Sequence, residues 1–313
     1  MPWKVLISAP YLLPVIEEFR DFFDDNQIET VIADVEERME EAQLLPLVAD
    51  IDGVICGDDR ITERVIAAAP KLKVIAKWGT GIDSIDSEAA QRRNIRVCRT
   101  PDAFTEPVAD SVLGYVLSFA RRLPWMSDAM KAGVWDKIPG RAIFETTIGV
   151  VGVGAVGSAV LRRAGAFGAR LLGTDIHEID AAHIQSLGVH MVSMDELLRD
   201  SDFISLNCDL NPTSQHLFGE AEFARMKRSA VIINAARGPV IDEVALVQAL
   251  ERGEIAGAAL DVFEDEPLPS SSPLRGMDNV MLAPHNSNSS PTSWQRVHES
   301  TLKQLLGGLK AAG

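Results

Sequence analysis

At 313 residues the chain exceeds what one ordinary hydrophobic core fills, so about two domains are expected. Hydrophobic residues make up 46% and charged residues 24%, with 23 Gly and 16 Pro, a balance that excludes disordered and fibrous chains. Acidic residues (45) outnumber basic ones (30) for a formal charge of -15, and this acidity repels phosphate backbones and anionic lipid. Neither nucleic acid nor a membrane is an expected partner.

The start of the chain pairs Lys4 with the apolar run Val5-Leu6-Ile7, but Pro10, Pro14 and the acids Glu17-Glu18 follow at once. A buried strand leading into a helix fits that pattern better than a targeting segment. Further strands are expected at 28–33, 53–56, 72–77 and 95–99, with helical spacing at 61–69 and 86–94 between them. The three cysteines, Cys56, Cys98 and Cys208, are far apart and show no C-x-x-C pairing, so reduced thiols in a cytoplasmic setting are expected, with no metal site. Next, Val108, Val112, Tyr115, Val116, Phe119 and Ala120 surround most of a helix with apolar side chains, which predicts cover from the other domain or from a second subunit. A second strand series is expected at 148–151, 170–174, 203–206, 231–234, 256–260 and 280–283. The piece 267–273, rich in Pro and Ser, reads as a surface loop, and 291–309 as a helix that docks through Trp294, Val297, Leu302, Leu305, Leu306 and Leu309. Strands alternating with helices predict an α/β protein with two doubly wound parallel sheets.

Gly152-Val153-Gly154-Ala155-Val156-Gly157 follows a strand run and opens a helical pattern, and Asp175 stands 18 residues beyond Gly157. In that order G-x-G-x-x-G is a dinucleotide signature. Gly152 permits a tight turn, Gly154 lets the backbone approach a pyrophosphate, Gly157 lets the helix lie close to the sheet, and the helix N-terminus attracts the phosphates. Asp175 accepts ribose hydroxyls and repels a 2'-phosphate, so NAD is favoured over NADP; a cationic His177 two residues on would soften that preference.

Three polar residues close apolar runs: Arg237 after 231–233, Glu266 after 261–265, and His285 after 280–284. Carboxyl ends of parallel strands border a ligand crevice, so these residues can converge there. Reducing a 2-keto acid with NADH needs a cation for the carboxylate and an acid for the new alkoxide. Arg237 suits the first task with its planar fork. His285 suits the second, because an imidazole exchanges protons near neutrality. Glu266 would orient His285 and raise its basicity. Taken singly, each residue also reads as an ordinary surface or turn residue. Gly79-Thr80-Gly81-Ile82-Asp83 offers backbone N–H donors to an anion, and an ordinary glycine turn explains its spacing nearly as well. The other histidines, His177, His183, His190, His216 and His298, read as surface residues.

Together these motifs resemble the D-isomer-specific 2-hydroxyacid dehydrogenases, the group of D-lactate, glycerate and 3-phosphoglycerate dehydrogenases. The match runs through Lys77 to Asp83, Gly152 to Gly157, Asn234 to Gly238, Gly257 to Phe263, Glu266-Pro267 and Pro284-His285. The resemblance implies a flavodoxin-like substrate domain, 1–100 plus 287–313, and an inserted Rossmann NAD domain, 101–286, with the active site in the cleft between them. It implies catalytic roles for Arg237, Glu266 and His285, substrate contacts at Gly79, Thr80 and Gly81, and cofactor contacts at Thr80, Ala155, Val156, Asp175, Cys208, Ala235 and Asp261. It also implies a homodimer formed through the NAD domain.

Three departures bear on the substrate. Cys56, Asp58 and Asp59 stand where phosphoglycerate enzymes carry a basic residue, which disfavours a phosphorylated substrate. Trp78 would narrow or cap the site if it points inward. Asn286 adds hydrogen-bonding capacity toward a substrate hydroxyl. A small D-2-hydroxy or 2-keto acid is therefore the expected substrate; the other reading is an NAD(H)-sensing binding protein resembling the corepressors built on this fold.

Overall fold

The computed structural model describes residues 2–311. The chain divides into two compact units, Met1–Phe104 with Ser290–Gly313, and Thr105–Ser289. In the first unit, strands β1 (Trp3–Ile7), β2 (Ile28–Ile32), β3 (Gly53–Cys56), β4 (Val74–Lys77) and β5 (Arg96–Cys98) form a parallel sheet ordered β2-β1-β3-β4-β5. This is the flavodoxin-like order, with its switch point between β1 and β3. Every residue of β3 and β4 is buried, as parallel strands covered on both faces require. The helix Glu63–Ala68 starts where the Thr62 side chain accepts the Val65 N–H, and the helix Ser87–Arg92 where Asp86 accepts that of Ala89. The final helix, Pro291–Ala311, packs Val297, Leu302, Leu305 and Leu309 into one core with Val5, Ile7, Ile55 and Val74. Each such side chain contributes roughly 1.5–3 kcal/mol of burial, which explains why the chain returns to this unit.

The second unit holds β6 (Thr147–Val151), β7 (Arg170–Thr174), β8 (His190–Met191), β9 (Phe203–Leu206), β10 (Val231–Asn234), β11 (Gly257–Leu260) and β12 (Val280–Leu282). They form a parallel sheet ordered β12-β11-β10-β9-β6-β7-β8. Counted from β6, that is the nucleotide-binding order 3-2-1-4-5-6 extended by a seventh strand. Alternate residues feed two cores. Ile148, Val150 and Ile233 enter one, and Val151, Ile204, Leu206 and Ile232 the other. Strand β8 is not among the expected strands: two residues are too few to show a period.

The helix Thr105–Arg121 buries one face, Ala109, Val112, Leu113, Val116, Phe119 and Ala120, in the core of its own unit that also holds Val160 and Leu161, while Val108 and Tyr115 are half-buried. Arg163 pairs with Glu106 and Asp110 of this helix. Among the described residues, no helix is long and apolar enough to cross a membrane.

At the opposite ends of these strands from the glycine turn, buried Asp202 accepts the Thr147 N–H at 2.8 Å and pairs with Arg141 at 3.0 Å and Lys227 at 3.1 Å. Burial acts to raise its pKa, but Arg141, the Thr147 N–H and Lys227 together hold it below the ordinary carboxylate value. Its stabilising contribution is therefore full above the unfolded carboxylate pKa and is lost as pH falls through the lower folded value. Asp202→Ala is expected to cost about 3 kcal/mol in urea unfolding at pH 7. A loss below about 1 kcal/mol would show that the cluster adds little.

Candidate active site

The glycine turn lies at the carboxyl end of β6, where the strand order reverses toward β9. Gly152 has φ of +88°, and a Cβ there would stand 2.9 Å from the Asn207 carbonyl and the Cys208 nitrogen. A Cβ on Gly157 would collide with the Gly152 carbonyl oxygen, so helix Ala155–Ala166 can approach the strand only with glycine there. Gly154 differs: a Cβ would meet nothing within 4 Å. Gly154 is the N-cap of that helix, so this open space lies beside the helix N-terminus and suits a pyrophosphate. Ala155 is exposed and Val156 half-buried on the first turn. Asp175 follows β7 and accepts the Val153 N–H at 2.7 Å and the His177 N–H at 2.9 Å, which ties the acid directly to the glycine turn. Each carboxylate oxygen keeps a second lone pair for a ribose hydroxyl. Cys208 follows β9, and burial pushes its thiol up to about 11. Ala235 follows β10 and Asp261 follows β11, so all these positions share one edge of one sheet.

Glu266 and His285 meet at that same edge. His285 Nδ1 lies 3.0 Å from Glu266 Oε2, while Glu266 Oε1 accepts the Phe263 N–H at 3.0 Å. A bond to a carboxylate assigns the proton to Nδ1, which leaves Nε2 as the exchanging nitrogen. His285 has φ of +49°, a left-handed conformation uncommon for a residue with a Cβ. The surrounding bonds explain its persistence. The His285 N–H donates to the Asp261 carbonyl at 2.7 Å, and the Asp261 carboxylate accepts the N–H groups of Asn286 at 2.8 Å and Ser287 at 2.9 Å. Asp261 thus fixes the histidine loop, a task not foreseen for it. The Asn286 side chain is exposed beside this loop.

Arg237 follows β10, with its guanidinium on the Ala236 carbonyl at 2.9 Å. Asn234, 1% exposed, holds the loop by donating to the Arg237 carbonyl at 2.9 Å and accepting the Ala236 N–H at 3.1 Å. A Cβ on the next residue, Gly238, would collide with the Phe263 carbonyl. The arginine loop therefore packs on Phe263, whose N–H holds Glu266.

In the first unit, Gly79, Thr80 and Gly81 follow β4. Thr80 Oγ1 donates to the Thr100 carbonyl at 2.9 Å, and the Thr100 N–H donates to the Gly79 carbonyl at 2.9 Å. Trp78 corrects the expectation that it caps the substrate. It is buried among Tyr11, Phe104 and Trp294, and its indole N–H donates to His298 Nδ1 at 2.9 Å. His298 is itself buried rather than on the surface, and burial lowers its pKa, so it stands neutral as an acceptor. The signal was present: His298 shares the helical face of Leu302, Leu305 and Leu309.

The sequence from 113 to 287 matches the family model described as D-isomer specific 2-hydroxyacid dehydrogenase, NAD binding domain. The chain belongs to this family. The dehydrogenase is 40% identical to a glyoxylate reductase of Korarchaeum cryptofilum over 79% of this chain and 76% of that one. It is also 40% identical to a D-3-phosphoglycerate dehydrogenase of Methanocaldococcus jannaschii, over 85% of this chain and 52% of that longer relative. The crystal structure of D-lactate dehydrogenase from Aquifex aeolicus, complexed with NAD and lactic acid, superposes with a TM-score of 0.89 at 26% identity, covering 98% of this chain and 96% of that one. The dehydrogenase is NAD-dependent, and its open Gly154 and tethered Asp175 fit that cofactor. Asp175→Ala is expected to raise kcat/KM with NADPH relative to NADH by about tenfold or more through loss of repulsion of the 2'-phosphate. An unchanged ratio in steady-state kinetics would assign the discrimination elsewhere.

Proposed function

We propose that this dehydrogenase interconverts small D-2-hydroxy acids and 2-keto acids of the glyoxylate and hydroxypyruvate class, with His285 as the proton-transfer group. The observation that carries this reading is the 3.0 Å contact between His285 Nδ1 and Glu266, a carboxylate itself fixed by the Phe263 N–H. When bound, NADH supplies the hydride delivered to substrate C2. The protonated Nε2 of His285 gives its proton to the C2 oxygen as that oxygen gains charge, and takes it back in the reverse direction. Glu266 orients the ring and stabilises its cationic form, as a buried acid does in other proton-relay pairs. Arg237 holds the substrate carboxylate through two parallel N–H donors. Similarity to a glyoxylate reductase supports the substrate class. NADH oxidation with a panel of 2-keto acids tests it: glyoxylate and hydroxypyruvate are the expected substrates, and intact NADH binding with no oxidation across the panel would favour a sensor.

We further propose that a second copy of the chain covers the segment 123–144. Trp135 is 85% exposed and Phe144 70%, with Leu123, Met130 and Val134 exposed nearby in sequence. Apolar side chains gathered in one exposed segment suit a self-complementary two-fold interface. Light scattering is expected to give a dimer mass, reduced toward the monomer by Trp135→Ser with Phe144→Ser. A wild-type monomer at micromolar concentration would refute the interface.

A further inference from the structure

The segment 262–266 carries two glutamates that each take a histidine. Glu266 takes His285, and Glu264 Oε1 lies 2.9 Å from Nε2 of His216. His216 belongs to the chain that follows β9 and has φ of +49°, a left-handed value that persists in a residue with a Cβ only where the surroundings fix it. Its N–H donates to the Pro239 carbonyl at 2.8 Å, the Phe218 N–H to the Val240 carbonyl at 3.1 Å, and the Asp242 N–H to the Phe218 carbonyl at 2.9 Å. The stretch 216–218 therefore runs parallel to 239–242, immediately after Arg237 and Gly238. Glu264 Oε1 also accepts the Glu243 N–H at 3.3 Å, while Glu243 Oε2 accepts the Glu264 N–H at 3.4 Å, which ties the start of helix Glu243–Glu251 to the same segment. One carboxylate thus joins three pieces of chain, two residues before Glu266.

We propose that Glu264, held by His216, is a positioning residue that keeps Arg237 in register with the Glu266–His285 pair, which rests on the reading of those three as the substrate-binding and proton-transfer groups. Asn234 shapes the arginine loop from within, but its place against 262–266 depends on the contact of Gly238 with Phe263 and on the Glu264 bracket. Arg237 fixes the substrate carboxylate and so the place of C2, and Nε2 of His285 has to reach the oxygen on that carbon. A slip of one group past the other spoils the reaction with both groups chemically intact, and about 1 Å of misplacement can cost on the order of a hundredfold in rate. The side chains of His216 and Glu264 are 47% and 34% exposed, so their pair adds little to folding stability, and its value lies in geometry.

The test measures kcat/KM for hydroxypyruvate at saturating NADH, the NADH Kd by fluorescence titration, and urea unfolding. Glu264→Ala is expected to lower kcat/KM by about ten- to a hundredfold with the NADH Kd within about twofold of wild type. Glu264→Gln keeps an oxygen acceptor for the ring and for the Glu243 N–H, and is expected to recover most of that loss. His216→Asn removes the ring donor with a residue that tolerates the left-handed backbone, and should leave the urea midpoint nearly unchanged. It is expected to cost about threefold or more in the wild-type background and nothing further beside Glu264→Ala, as for two residues acting through one bond. Should Glu264→Ala not fold, His216→Asn decides alone, and wild-type kcat/KM in it would overturn the inference. Wild-type kcat/KM in folded Glu264→Ala, or losses that simply add in the double variant, would also overturn it and leave the proposed reaction intact. A wild-type protein that does not reduce hydroxypyruvate would remove the reaction and the inference together.

Discussion

His285→Ala is expected to lower kcat for hydroxypyruvate reduction by about 10²–10⁴-fold, the usual contribution of a positioned acid or base, while NADH fluorescence titration gives a nearly unchanged Kd. The separation follows from the structure. His285 sits on a loop fixed by Asp261 and Glu266, whereas the glycine turn and Asp175 that suit the cofactor follow β6 and β7. Truncating the ring therefore removes the proton carrier without touching the dinucleotide cradle. Glu266→Gln complements it: an amide in place of the carboxylate no longer stabilises a protonated ring, so kcat falls by a smaller factor and the pH profile changes shape. A His285→Ala variant with near-native kcat would show that another group delivers the proton.

Arg237→Ala is the second large effect, with an expected loss of about 2–5 kcal/mol in transition-state stabilisation, read from kcat/KM. Both KM and kcat are expected to suffer, because the carboxylate must be gripped for C2 to be held at all. Arg237→Lys distinguishes charge from geometry. A lysine keeps the cation but lacks the planar fork, so recovery of only a small part of the activity indicates bidentate binding, and full recovery would indicate a simple charge effect. The loop itself should survive either change, because Asn234 holds it through backbone groups of Ala236 and Arg237.

Much of this architecture is legible in short apolar runs. The strands β3, β7, β9 and β10 coincide with Gly53–Cys56, Arg170–Thr174, Phe203–Leu206 and Val231–Asn234, because buried parallel strands have to be apolar on both faces. The glycine turn is legible for a similar reason: Gly152 and Gly157 answer steric demands that a sequence pattern records. Three features escaped. Strand β8 is two residues long and carries no period. Trp78 and His298 satisfy each other across 220 positions, a pairing that neither local environment announces, although the helical face of His298 hints at its burial. Asp261 reads as one acid after a strand, and only its two bonds to Asn286 and Ser287 show that it shapes the histidine loop. Polar partnerships of this kind depend on which loops the topology brings together, and spacing along the chain does not encode that.

The most direct measurement is the product formed from hydroxypyruvate and NADH, resolved by chiral chromatography alongside the rate of NADH oxidation. One equivalent of D-glycerate is expected for each NADH consumed, formed about 10²–10⁴-fold more slowly by His285→Ala. L-glycerate, or NADH that binds without being oxidised, would contradict the proposed reaction.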